Sequence, residues 1–242
     1  MKIRNILITY CLFMMFQINI FSQVGIRFKY DLNQYNNWDN ALKDNFLTTE
    51  RLYPTSYGLG LNYWFRLKKQ RVEFLPELGY ARSETRFSNP TVERFVMNTF
   101  SFNFNTQIYA LDFAEDCDCP TFSKQGPSIN KGMFFHISPG VVYFSANGSP
   151  NPILSSQPLP NGINSGLAGN LGLGIGLDIG INDLLTITPI ASYYFYSKMR
   201  WDDMLQNGNG VIDVDNNLRH AQFSVRFGLR LDYNNRQKRF RR

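Results

Sequence analysis

The chain has 242 residues, 43% hydrophobic and 15% aromatic, and a formal charge of +6 at pH 7. Seven basic residues stand at its two ends (Lys2, Arg4, Arg236, Lys238, Arg239, Arg241, Arg242); without them the body is at about −1, which excludes a general nucleic-acid footprint. Past residue 23 no stretch of eighteen apolar residues occurs, so no segment reads as a membrane-crossing helix.

In chain order, Lys2 and Arg4 precede an apolar run from Ile6 to Phe21 and then Ser22-Gln23, the layout of a secretory signal. Cleavage is predicted after Ser22, although Ile20 is not the small residue preferred two positions earlier. Tyr10 stands before Cys11, where a lipoprotein signal needs a small residue. Strict alternation of apolar and polar residues then begins. A period of two marks β-strand, because successive side chains leave opposite faces of a pleated chain. Val24 to Tyr30 sets Ile26, Phe28 and Tyr30 against Arg27 and Lys29. Thr55 to Leu67, Val72 to Ala81, Thr99 to Leu111 and Met133 to Phe144 repeat the pattern, as do Leu185 to Tyr196 and Arg219 to Tyr233.

The longest run is Ser165 to Asn182. Leu167, Leu171, Leu173, Ile175, Leu177, Ile179 and Ile181 alternate with Ala168, Asn170, Gly172, Gly174, Gly176, Asp178 and Gly180. An apolar side facing lipid and a small or polar side facing a lumen is the pattern of a strand spanning a bilayer. The glycine-rich side leaves space for something bulky inside.

Eight such strands cannot leave open edges in lipid, so the ladder must close. The expected fold is an all-β, eight-stranded antiparallel transmembrane barrel, an up-and-down meander over 23–233, after a signal peptide (1–22) and before a basic tail (234–242). Leu32–Pro54, Arg82–Asn98, Ala146–Asn164 and Ser197–Leu218 read as long outer connections, and Lys68–Arg71 and Asn182–Leu184 as tight periplasmic turns. Phe113–Lys131 is long where a short turn is due. Pro76, Pro139 and Pro189 recur on the third, fifth and seventh strands; lacking a donor, each should sit at a bulge or bend.

These features resemble the eight-stranded outer-membrane β-barrels of the OmpA/OmpX-like "porin family" common in Bacteroidota. The likeness is carried by Gln23 after the signal, F-L-P-E-L-G-Y over 74–80 and the glycine-alternating sixth strand. Arg226, Gly228, Leu231 and Tyr233 stand in the frame of the signal read by the barrel-insertion machinery, which the resemblance implies as a partner. The chain departs from the pattern by continuing nine residues past Tyr233. The resemblance implies a fold and an outer-membrane location rather than a particular activity.

Nine charges fall on the lumen side: Arg27, Lys29, Arg66, Glu73, Glu77, Asp178, Arg226, Arg230 and Asp232. Buried charges must be paired, so they read as a salt-bridged plug, with Arg27 or Arg66 as counter-ions of Glu73 and Glu77; a proton or ion path is the alternative. His136 beside Ser138 and His220 beside Ser224 are the two pairs that a lipid-modifying enzyme would need, but alternation alone produces such pairs, and no catalytic residue is assigned. Asp213 and Asp215 offer oxygen ligands without the closing Glu of an EF-hand, so no metal site and no cofactor are expected. Cys117 and Cys119 are a candidate disulfide with a strained one-residue spacer.

The expected function is non-enzymatic: anchoring, adhesion or envelope assembly through the loops. A narrow channel, a lipid-modifying enzyme and an assembly component of type IX secretion are the alternatives. Outer-membrane lipid and a periplasmic partner at 113–131 and 234–242 complete the expected contacts.

Overall fold

The computed structural model describes residues 23–40, 51–66, 72–86, 92–109, 132–150, 164–181, 185–207 and 210–230. The expected signal segment (1–22), the 113–131 connection with Cys117 and Cys119, Leu231, Asp232, Tyr233 and the 234–242 tail lie outside them.

The alternating stretches form nine strands: β1 (Gln23–Gln34), β2 (Thr55–Arg66), β3 (Val72–Arg86), β4 (Val92–Ile108), β5 (Met133–Pro150), β6 (Asn164–Leu177), β7 (Ile179–Gly180), β8 (Leu185–Asn207) and β9 (Gly210–Arg230). Each pairs antiparallel with its neighbours in the order β6-β5-β4-β3-β2-β1-β9-β8-β7, and β6 also pairs with β8. That last pairing closes the sheet. β6 and β7 are one stave interrupted at Asp178, whose backbone N–H turns to the carbonyl of Gly132 at 2.9 Å. The molecule is a closed eight-staved antiparallel barrel, and closure leaves no ladder edge within the wall.

Alternation settles which side of the wall each residue takes. Ile26, Phe28, Leu59, Leu61, Leu78, Phe102, Leu173, Phe223 and Phe227 face outward and are exposed, although all are large and apolar. Arg27, Lys29, Asn62, Glu73, Glu77, Asn105, His136, Asp178 and Arg226 face inward and are buried. The lumen glycines make room for rings from neighbouring staves. A Cβ on Gly172 would lie 2.4 Å from the Tyr194 ring, and one on Gly176 would lie 2.2 Å from the Phe134 ring. The bulk that the glycine side of β6 accommodates is therefore aromatic and comes from β5 and β8.

The prolines do not sit at bulges. No register shift occurs at Pro76, Pro139 or Pro189. Instead the ladder to the preceding stave skips two pairs and resumes unshifted. The pairing passes from Asn62↔Glu77 to Phe65↔Phe74, from Asn103↔Gly140 to Thr106↔Ile137, and from Gly176↔Ile190 to Ile179↔Ile187. On the other side Pro76↔Phe104, Pro139↔Leu171 and Pro189↔Val225 stay in place. A missing N–H weakens one side of a strand only, and the lapse falls on that side without a bulge.

The strands also run further than their alternation suggested at the end away from the termini. Arg82–Asn98 is mostly strand, with β3 and β4 paired out to Arg86↔Arg94. Ser197–Leu218 is a hairpin rather than a loop, paired out to Asn207↔Gly210. Asp213 and Asp215 accordingly lie on β9, not in a ligating loop. β6 follows β8 only to Tyr196, and β1 follows β9 only to Arg219. Beyond those points β8 and β9 stand as a two-stranded ribbon.

Candidate functional site

Three layers fill the barrel. At the end bearing Gln23 and Arg230, Asp178 leaves the wall between β6 and β7 and turns its carboxylate into the lumen. It accepts from the hydroxyls of Tyr109 and Thr188, and Arg226 Nη2 lies 3.3 Å away. Tyr109 is shared with Glu73, at 2.9 Å, and Trp64 Nε1 donates to the same Glu73 oxygen at 2.6 Å. Among the described side chains, Glu73 thus meets an indole and a phenol. The expected counter-ion Arg27 lies elsewhere, while the Arg66 backbone faces Glu73 across the β2–β3 ladder; the side chains of Arg66 and Arg230 lie outside the described residues. Tyr109, Phe134 and Ile190 pack as an apolar floor.

The middle layer is built on Glu77. Lys29 Nζ lies at 2.5 Å, Arg27 Nε at 3.2 Å, and Asn105 Nδ2 donates at 3.4 Å. All of these groups are buried. A carboxylate between two cations offsets the desolvation that each ion would otherwise suffer alone.

The third layer was not foreseen. Asp31 extends the alternation of β1 one step past Tyr30 and is a buried lumen acid. It accepts from Ser56 Oγ at 2.7 Å and Gln222 Nε2 at 2.8 Å, with His220 Nε2 at 3.8 Å. Above it the segment after β1 folds back into the mouth. Asp39 N donates to the Tyr35 carbonyl, closing a helical turn, and the Asp39 carboxylate accepts from Leu52 N at 2.7 Å. Tyr35 and Trp38 stack with ring centroids 5.1 Å apart and planes 4° from parallel. They pack with Leu52, Tyr53, Phe95, Met97, Phe144, Met199 and Leu218 into an apolar cluster. Burial pushes the phenols of Tyr35 and Tyr53 well above their usual pKa, so both remain neutral. The inside of the far mouth is therefore packed like a soluble-protein core. A pair of aromatics three residues apart in 32–54 was the sequence signal for it.

The histidine pairs do not assemble as nucleophile and base. Among the described residues neither ring nitrogen of His136 or His220 has a hydrogen-bond partner. Ser138 Oγ accepts from Tyr194 OH at 3.1 Å. His220 instead packs against Tyr194 and Tyr196, with centroids at 5.0 and 5.3 Å. No group of three or more His, Cys, Asp or Glu among the described residues has metal-binding geometry. Of the positions expected to form the insertion signal, Arg226 and Gly228 are buried on the lumen side of β9.

Outside, the apolar belt ends in aromatics at both levels. Tyr30–Tyr57, Tyr80–Phe100 and Tyr193–Phe195 pair at the far side of the belt, and Phe65, Phe74 and Phe104 cluster at the near side. Beyond the far girdle the outward residues turn charged: Arg82, Glu84, Arg86, Arg94, Lys198 and Asp215.

No protein-family model and no curated protein matches the sequence. Solved structures of similar fold include neisserial surface protein A, 10% identical over 87% of this chain and 97% of that one with a TM-score of 0.46. Ail, the attachment invasion locus protein of Yersinia pestis, is 12% identical over 86% and 97%, with a TM-score of 0.44. The N-terminal β-barrel domain of Pseudomonas aeruginosa OprF is 12% identical over 85% and 97%, with a TM-score of 0.38.

Proposed function

We propose that the chain is a non-conducting, non-catalytic outer-membrane barrel that anchors a contact surface at its far end, in adhesion or envelope assembly. The observation that carries this reading is the inversion of polarity along the barrel axis. Over the middle of the wall the outside is apolar and the inside is charged and paired, as lipid demands. At the far end the inside is the Tyr35–Trp38 cluster and the outside is charged, as water demands. A wall that changes sides in this way crosses an apolar slab and then continues as a solvated protein body.

Both seals argue against conduction. Eight staves leave a lumen just wide enough for side chains, and here Tyr109 and Phe134 close one end while Tyr35, Trp38 and Tyr53 close the other. The end of the barrel bearing Gln23 and Arg230 takes the periplasmic side, so the ribbon of β8 and β9 faces outward from the cell. Single cysteines at Asn89, Asn151 and Asn209, in a chain lacking Cys117 and Cys119, test this. All three should react with an impermeant thiol reagent on intact cells; protection of any of them would overturn the orientation.

A further inference from the structure

The outward face of β3 and β4 carries a charge cluster that the anchoring role does not use. Glu84 on β3 is shared by three arginines: Arg94 Nη2 at 2.6 Å, Arg86 Nε at 3.3 Å and Arg82 Nη2 at 3.7 Å. Three guanidiniums on one carboxylate leave two positive charges in excess among the described side chains. All four side chains are partly to largely exposed, at 48% for Arg82, 75% for Arg86, 38% for Arg94 and 30% for Glu84. Arg86 and Arg94 are directly opposite in the ladder, and like charges at that position repel. One carboxylate does not neutralise them. The hydrogen bond from Arg94 holds the Glu84 carboxyl below its ordinary pKa, so the acid is ionised and already contributes its one negative charge.

The cluster's height identifies what else it meets. Arg82 lies opposite Tyr57, and Tyr57 belongs to the far aromatic girdle. Tyr80, two residues before Arg82 on the same face, points its hydroxyl to Asn98 Oδ1 at 2.8 Å, and Asn98 is Arg82's own ladder partner. Tyrosines at a membrane interface keep the ring in the apolar zone and the hydroxyl at headgroup level. The guanidiniums therefore begin at the headgroup plane and rise from it. At two residues per outward position, Arg82 to Arg86 covers about 13 Å along the strand, so the cluster spans the headgroup layer, about 5–8 Å deep, and continues above it.

We propose that Arg82, Arg86 and Arg94 form a binding site for a phosphate-bearing headgroup of an outer-leaflet lipid. Planar guanidiniums match phosphate oxygens in bidentate geometry, and the two charges in excess among the described side chains suit a phosphate monoester. Glu84 spaces the three side chains, and its charge opposes the ligand. The inference rests on the membrane orientation proposed above only in naming the leaflet; the lipid chemistry is independent of it.

Native mass spectrometry of the full chain, released from nanodiscs of phosphatidylcholine doped with either phosphatidic acid or phosphatidylglycerol, tests the site. The unmodified protein should retain phosphatidic acid in preference to phosphatidylglycerol. Arg82→Gln, Arg86→Gln and Arg94→Gln should each lower retention about five-fold, whereas Glu84→Gln should raise it. Opposite signs on a single cluster separate ligand binding from structural damage, since losing Glu84 also breaks three ion pairs. Heat-modifiable migration in gels confirms that each variant is folded. Equal retention of both lipids by the unmodified protein, or a fall with Glu84→Gln, would overturn the site. Free inorganic phosphate at millimolar concentration should not displace the lipid; displacement would mean that a soluble anion, not a lipid, is the ligand. Retention that persists in the triple arginine variant would likewise refute it, and none of these outcomes depends on the cell-surface labelling.

Discussion

Glu77 is the residue on which the middle of the lumen depends. It is fully buried between Arg27 and Lys29, and removing one partner of a buried ion pair leaves an uncompensated charge, which costs about 3–5 kcal/mol. Glu77→Ala should therefore lower unfolding free energy by about that amount in urea titrations in lipid bilayers. Restoring charge balance with Lys29→Met in the same chain should recover part of the loss, because only Arg27 then lacks a counter-ion. Independent effects of the two substitutions would mean that they do not share a network. Trp38 is a second such residue, buried to 0% exposure in the mouth. Trp38→Ala should cost about 3–5 kcal/mol while leaving the exterior wall, and hence insertion, unchanged. Failure to insert would show that the mouth cluster forms before the wall closes.

At the scale of elements, the ribbon beyond Tyr196 and Arg219 is a long part of the wall without neighbours on both sides. Asn37 ties its base, through its N–H to Asn216 Oδ1 at 3.1 Å and its Nδ2 to the Asp215 carbonyl at 2.9 Å. Local opening free energy follows contact density, so amides in 201–214 should exchange with deuterium faster than those in 185–195. Replacing 201–214 by Asn-Gly should leave a heat-modifiable barrel, because Met199 and Leu218 of the mouth cluster are kept. Loss of folding would make the ribbon part of the folding unit instead. The three prolines act on a smaller element, two ladder pairs each, and their cost is confined to one side of the strand.

For the whole molecule, two seals predict negligible ion conductance in planar bilayers. A large stable conductance from the unmodified protein would sink the reading of a plugged barrel. The double variant Tyr35→Ala with Trp38→Ala removes the stack at one end only, so the Tyr109–Phe134 floor should still hold current near baseline. The periplasmic face is a separate proposal. The sequence places Cys117 and Cys119 in a long connection on the side of the basic tail, so a partner there would engage both. Deleting 234–242 should leave insertion intact and reduce partner capture by periplasmic crosslinking, as should Cys117→Ser with Cys119→Ser. Unchanged crosslinking in both would place the working contact at the far end alone.

What the chain determined locally was the wall. A period of two is a property of neighbouring residues, so the eight staves, their outward apolar faces and the inward direction of Arg27, Glu77, Asp178 and Arg226 were all readable before any pairing was known. The paired proline frames were readable too, but their consequence was not. Whether a missing N–H bends a strand or merely opens its ladder depends on the stave beside it, and here unbroken pairing on the following side held Pro76, Pro139 and Pro189 in register. Partner choice inside the lumen was likewise beyond local reading. Asp178 meets Arg226 across the β8 stave, and Glu73 meets Trp64 and Tyr109, because closure and register bring these groups together from distant parts of the chain. Asp31 continues the alternation of β1, so its inward direction was local, while its partners Ser56 and Gln222 came only with closure. The Tyr35–Trp38 stack breaks the rule that a connection after a strand faces water, since the far mouth of a closed barrel is a ready-made apolar pocket that only the assembled wall creates.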